Sequence, residues 1–117
     1  MNKLKLFLAT GALLVGSIGA ASALGNHPDW CDEQSSKNGA ERTICATKSL
    51  WVLDDELNNA YQTAEGSIGG QKSQLVSSQR NWLSVTRNGC GASVGCLTSA
   101  YRSRIRTLED IASRGRM

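Results

Sequence analysis

The chain has 117 residues, with thirteen Lys and Arg against ten Asp and Glu, a formal charge of +3 at neutral pH. That length suits one domain with a modest core, and so slight a positive balance makes no case for a nucleic-acid partner. One histidine and one proline accompany four cysteines, a composition that leaves few ligands for a metal centre.

The first stretch reads MNKLKLFLATGALLVGSIGAASALG. Lys3 and Lys5 precede an apolar run from Leu6 to about Ala20, and Ala21-Ser22-Ala23 places small residues where a signal peptidase reads. This order predicts a secretory signal peptide over 1–23, cleaved after Ala23, and a mature domain over 24–117. Gly11, Gly16 and Gly19 and the short apolar core disfavour a permanent span. No cysteine follows the cleavage site, so lipid attachment is not indicated. The expectation is a periplasmic or secreted protein, soluble and without stable membrane insertion. With Lys3 and Lys5 removed, eleven basic and ten acidic residues remain, and the domain is nearly neutral.

Next comes a polar arm, GNHPDW, followed by Cys31. Cys31, Cys45, Cys90 and Cys96 are even in number in a short exported chain, which favours disulfides. Zinc would need closely spaced ligand pairs, and the lone His27 lies in the arm, so no metal and no cofactor is expected. Four cysteines permit three pairings. A short helix fits from about Ala40 to Cys45. From Ser49 to about Glu65, Leu50, Leu53, Leu57, Tyr61 and Ala64 recur three or four apart, one face of a helix. Gly66-Ser67-Ile68-Gly69-Gly70 breaks it. A second long helix is predicted from about Gln71 to Arg87, with Leu75, Gln79, Trp82 and Leu83 on one face, stopped by Asn88-Gly89. A third is predicted from about Val94 to Ser113, carrying Leu97, Tyr101, Ile105, Leu108 and Ala112.

Together these predict an all-α fold: a small antiparallel bundle of three longer helices plus a short N-terminal helix. The local pairing, Cys31–Cys45 and Cys90–Cys96, suits that order. One bond ties the arm to the short helix, and the other pins the corner between the second and third long helices. The cysteines therefore read as staples that matter beside a small core.

Few residues invite catalysis. The carboxylates of LDDELNNAY fall on consecutive helix positions about 100 degrees apart, so they do not converge on one bond as a glycosidase pair must. Ser77 and Ser78 have no histidine nearby in sequence for nucleophile activation. No glycine loop stands in a phosphate-binding context. The chain therefore reads as a non-enzyme. Arg80 and Arg87, seven apart, share a helix side. The expectation is that both pair with Asp54, Asp55 or Glu56 across the helix interface, Arg80 above all, while Arg87 also sits at the edge of the pinned corner. Trp51 and Trp82 read as core, and Trp30 as the candidate exposed aromatic. In the last helix, Arg106 is placed to pair with Asp110.

The runs ERTICATKSLWVLDDELNNAY, QRNWLSVTRNGC and CLTSAYRSRIRTL resemble the LprI-like family of small exported bacterial proteins, named for a lysozyme inhibitor. The resemblance rests on Ile44, Cys45, Leu50, Leu53, Asp54, Leu57 and Tyr61 in the first run. In the second it rests on Gln79, Arg80, Trp82, Leu83, Arg87 and Cys90, and in the third on Cys96, Leu97, Tyr101, Ile105 and Leu108. The family's positions Asp54, Tyr61, Gln79, Arg80, Trp82 and Tyr101 read as fold-forming. What the resemblance implies is an envelope protein that binds and inhibits lysozyme or a related cell-wall hydrolase. The element suited to entering a sugar-binding cleft is Gly91, Ala92, Ser93, Val94 and Gly95, with Arg87 beside it. The alternative is a non-catalytic structural or stress-related envelope protein that binds another protein through the arm or the last helix.

Overall fold

A computed structural model describes residues 26–117; the expected signal peptide and its cleavage point lie outside the described residues. Every regular element among them is helical: α1 is Gly39–Ala46, α2 Lys48–Ser67, α3 Lys72–Asn81 and α4 Val94–Arg114. A 3-10 turn, Asp29–Asp32, precedes α1. None of these helices is long and apolar enough to cross a membrane.

Each boundary has a local cause. Asn38 caps α1 by accepting from the Glu41 N–H at 2.8 Å, while Glu41 Oε1 accepts from the Asn38 N–H at 3.0 Å. This reciprocal box satisfies two donors that a helix start otherwise leaves unpaired. Thr47, extended at φ −125° and ψ 105°, separates α1 from α2. Trp51 Nε1 donates to the Cys45 carbonyl at 3.2 Å across that corner. Ser93 caps α4 by accepting from the Cys96 N–H. Gly115 ends α4 at φ +70°, a left-handed conformation that suits a residue without Cβ. Met117 N–H then donates to Gln71 Oε1, tying the tail to the start of α3.

The long helices run up, down and up. Ser49 and Val52 meet Thr98 and Arg102 along one groove, and Ala60 and Thr63 meet Ala112 and Ser113 along another. Thus α2 and α4 lie side by side in the same direction, while α3 runs the opposite way along α4, Gln71 meeting Met117 and Gln79 meeting Arg104. The core follows the stripes: Ile44, Leu50, Leu75, Leu97, Tyr101 and Leu108 are fully enclosed. Trp82 meets Tyr101 edge-on, ring centroids 5.3 Å apart. Both disulfides pair locally, Cys31–Cys45 and Cys90–Cys96, with Cα separations of 5.7 and 5.5 Å.

The second long helix departs from the expected regular α-helix. After Asn81 the backbone widens into a π stretch, Trp82–Arg87, and tightens to a 3-10 turn, Asn88–Cys90. A π stretch changes the rotation per residue and so re-aims the side chains beyond it. Arg80 and Arg87 consequently do not share a face: Arg80 is exposed, and Arg87 turns inward.

Candidate functional site

Two neighbouring features concentrate the polar and exposed groups: a cleft beneath the N-terminal arm, and the disulfide-pinned loop at 91–95.

The cleft encloses about 370 Å³ between the arm, α2 and the α3–π segment. Its floor holds Asp54 and Arg87, whose residues are only 4% and 7% exposed. Asp54 Oδ1 accepts from the Tyr101 hydroxyl at 2.9 Å, and its Oδ2 accepts from Trp30 Nε1 at 3.4 Å. Burial pushes the Tyr101 phenol well above its usual range, and the charge and hydrogen bond of Asp54 push it further. The hydroxyl therefore stays protonated and donates. Arg87 Nη2 pairs with Glu41 Oε2 at 3.2 Å, and its Nε donates to Asn88 Oδ1. The guanidinium carbon lies 5.2 Å from the centre of the Trp30 ring, within cation–π range.

Several expectations for single residues meet a different arrangement. Asp54 takes its hydrogen bonds from Tyr101 and Trp30 rather than from Arg80, and Arg80 makes no ion pair among the described residues. Arg87 faces the core because the π stretch turns it there, so its charge is spent on Glu41 rather than offered at the loop's edge. Trp30 is half-buried and folded onto the cleft, held by the neighbouring Cys31–Cys45 bond. In α4, Asp110 pairs with Arg114 at 2.8 Å rather than with Arg106.

Two side chains that the sequence reading passed over prove central. Glu41 both caps α1 and neutralises Arg87; the signal was the capping pattern Asn38-Gly-Ala-Glu41. Arg104 is 9% exposed, and it falls three residues after Tyr101 and four before Leu108, on the core stripe of α4. Its Nε donates to Gln79 Oε1 at 2.9 Å and its Nη2 to Ser78 Oγ at 3.0 Å. Burial lowers its pKa from the ordinary arginine value.

His27 comes close to the Cys31 and Cys45 sulfurs, all ligand atoms lying within 4.8 Å of one another. Those sulfurs are bonded to each other, so they are not thiolates that could hold a metal. His27 instead packs edge-on to Trp51, centroids 5.3 Å apart.

The loop is held at every joint. Cys90 and Cys96 close it, and Ser93 begins the next helix. Gly91 adopts φ +59° and ψ −137°, a region suited to glycine. A Cβ on Gly39 would lie 3.9 Å from Gly91 and Ala92 backbone atoms, so the loop rests on the start of α1. Ala92, Ser93, Val94 and Gly95 are nevertheless exposed, Val94 by 42%. The other large apolar side chains so exposed among the described residues are Val85, in the π stretch leading to the loop, and the terminal Met117.

Comparison with known proteins finds one family: the model described as lysozyme inhibitor LprI matches residues 31–108. No curated protein and no solved structure matches the chain.

Proposed function

Because the chain belongs to the LprI family, we propose that it is an exported envelope protein that binds a lysozyme or a related peptidoglycan hydrolase and blocks its cleft with the loop at 91–95. The observation that carries this reading is the combination of exposure and constraint at that loop. A protruding segment gains affinity when little conformational freedom is lost on docking, and the Cys90–Cys96 bond, the Ser93 cap and the seat on α1 have already removed that freedom. Val94, the first residue of α4, supplies an exposed apolar contact, and the small neighbours Ala92 and Gly95 leave it room to enter a groove. Arg87 supports the loop from within, through Asn88, rather than meeting the target itself. Catalysis by the chain has no counterpart in this reading, because its buried charges are bound up in the fold.

The test is the clearing of a suspended cell-wall preparation by purified lysozyme, followed by turbidity. The parent protein should slow clearing, and Ala92→Trp should abolish the effect while its circular dichroism matches the parent. Full inhibition by Ala92→Trp would remove the loop from the interface. Absence of inhibition by the parent against a panel of wall hydrolases would overturn the function itself.

A further inference from the structure

We infer that the cleft beneath the arm is a binding site for a neutral saccharide, separate from the loop and independent of whether the loop inhibits a hydrolase. The buried charges of the cleft are already held within the protein, and Glu33 is an exposed carboxylate at its rim with no ion pair among the described residues. Arg87 is paired with Glu41, Lys37 donates to the Glu33 and Ser35 carbonyls of its own arm, and Asp54 is held by Tyr101 and Trp30. An incoming anion would compete with Glu41 and an incoming cation would face Arg87, so a ligand gains most by bringing no charge.

What remains unused is hydrogen-bonding capacity. Each Asp54 oxygen accepts a single bond among the described residues, although a carboxylate oxygen has room for two. Arg87 donates from its Nε and Nη2 and also interacts with the Tyr101 hydroxyl, leaving part of its guanidinium fork to donate. Gln79 commits its Oε1 to Arg104, which fixes the amide so that its NH2 group is the end left to donate. The Asn58 side chain has no hydrogen bond among the described residues and stands exposed at the rim. These are planar, partly pre-oriented donors and acceptors of both kinds, suited to adjacent hydroxyls that each donate and accept. Tyr61 adds ring surface to the wall, against which the apolar face of a sugar ring packs, while Trp30 has one ring face already covered by Arg87. A volume of about 370 Å³ is at the small end of ligand pockets and suits one or two sugar rings.

Amide-detected NMR on the disulfide-intact protein tests this, with cellobiose, maltose and N,N′-diacetylchitobiose as probes. Glycerol, acetate and methylguanidinium serve as comparisons at matched ionic strength. At least one disaccharide should shift the Trp30 indole and Gln79 side-chain resonances saturably, with a dissociation constant on the order of 1 mM. Comparing the two plain sugars with the acetylated one separates a hydroxyl ligand from an acetamido ligand. Asn58→Leu, at an exposed rim position, should weaken binding about fivefold, the effect of one lost hydrogen bond. Ala92→Trp should leave it unchanged, so failure here and failure of the loop reading are told apart. No saturable shift by any disaccharide, an equal response to glycerol, saturation by the charged probes alone, or unaltered binding by Asn58→Leu would each overturn the site.

Discussion

Asp54 and Arg87 are opposite charges buried in the same small protein without forming an ion pair with one another. Each is satisfied separately, and Tyr101 is the link, since its hydroxyl donates to Asp54 while the Arg87 charge lies near enough to oppose the rise in its pKa. Removing a partner from a buried ionised group leaves its desolvation uncompensated, so loss should be felt more here than at any surface pair. Tyr101→Phe should lower unfolding stability by about 1–3 kcal/mol in urea titrations, as Asp54 loses its buried donor. Arg80→Ala should melt within about 0.5 kcal/mol of the parent, because the side chain is exposed and unpaired among the described residues. Equal destabilisation by the two variants would contradict the partner assignments. The phenol also gives a pH signature. Its folded pKa is raised above the unfolded one, so the stability it contributes is complete below the unfolded tyrosine value and declines as pH climbs beyond it. An ultraviolet titration should find Tyr101 ionising only as the protein unfolds in strong alkali.

At the scale of elements, much was legible, and for a clear reason. The α2 and α4 stripes repeat every three or four residues over about five turns, and that length lets periodicity outweigh local noise. Glycine and Asn-Gly breaks marked the corners, and the even cysteine count with local spacing matched both bonds. The π stretch at Trp82–Arg87 was not legible, because no single residue type announces the one-residue change of phase that separates Arg80 from Arg87. Trp30 was misread for a related reason: a polar arm looks exposed in sequence, whereas the Cys31–Cys45 bond draws it over the cleft. The two bonds therefore differ in consequence. Cys31–Cys45 spans fourteen positions and Cys90–Cys96 spans six, which on the chain-entropy model correspond to about 3 and about 2 kcal/mol. Replacing Cys31 and Cys45 together by Ala should cost more stability in urea than replacing Cys90 and Cys96, and should red-shift Trp30 emission as the arm loosens. Replacing the second pair should leave that emission alone and, on the proposed function, reduce hydrolase inhibition through the slackened loop. A reversed pattern would mean that packing, rather than the Cys31–Cys45 bond, holds the arm over the cleft.

Over the described residues, eleven basic against ten acidic side chains conceal an uneven layout. Asp29, Asp32 and Glu33 on the arm lie close in sequence, and Asp54 and Asp55 join the pocket that Asp29 lines. Arg102, Arg106, Arg114 and Arg116 weight α4 and the tail the other way. The acidic side repels itself, and Asp55 registers it: partial burial raises its pKa first, and the charges of Asp54 and Asp29 raise it further. A carboxyl whose folded pKa exceeds its unfolded pKa favours the native state below the unfolded value, and that contribution is lost as pH rises through the folded one. At neutral pH the ionised Asp55 is therefore a liability, whereas in acid it is protonated and harmless. Asp55→Asn should accordingly raise the melting temperature at pH 7 and converge with the parent as pH falls below the ordinary carboxylate range. The gain should shrink in high salt, because the repulsion acts across a partly exposed surface that ions screen. Paired melting curves at neutral and acidic pH, each at low and high salt, measure it. A gain that persisted unchanged in acid would mean that the side chain's packing, and not the crowding of negative charge beneath the arm, sets the effect.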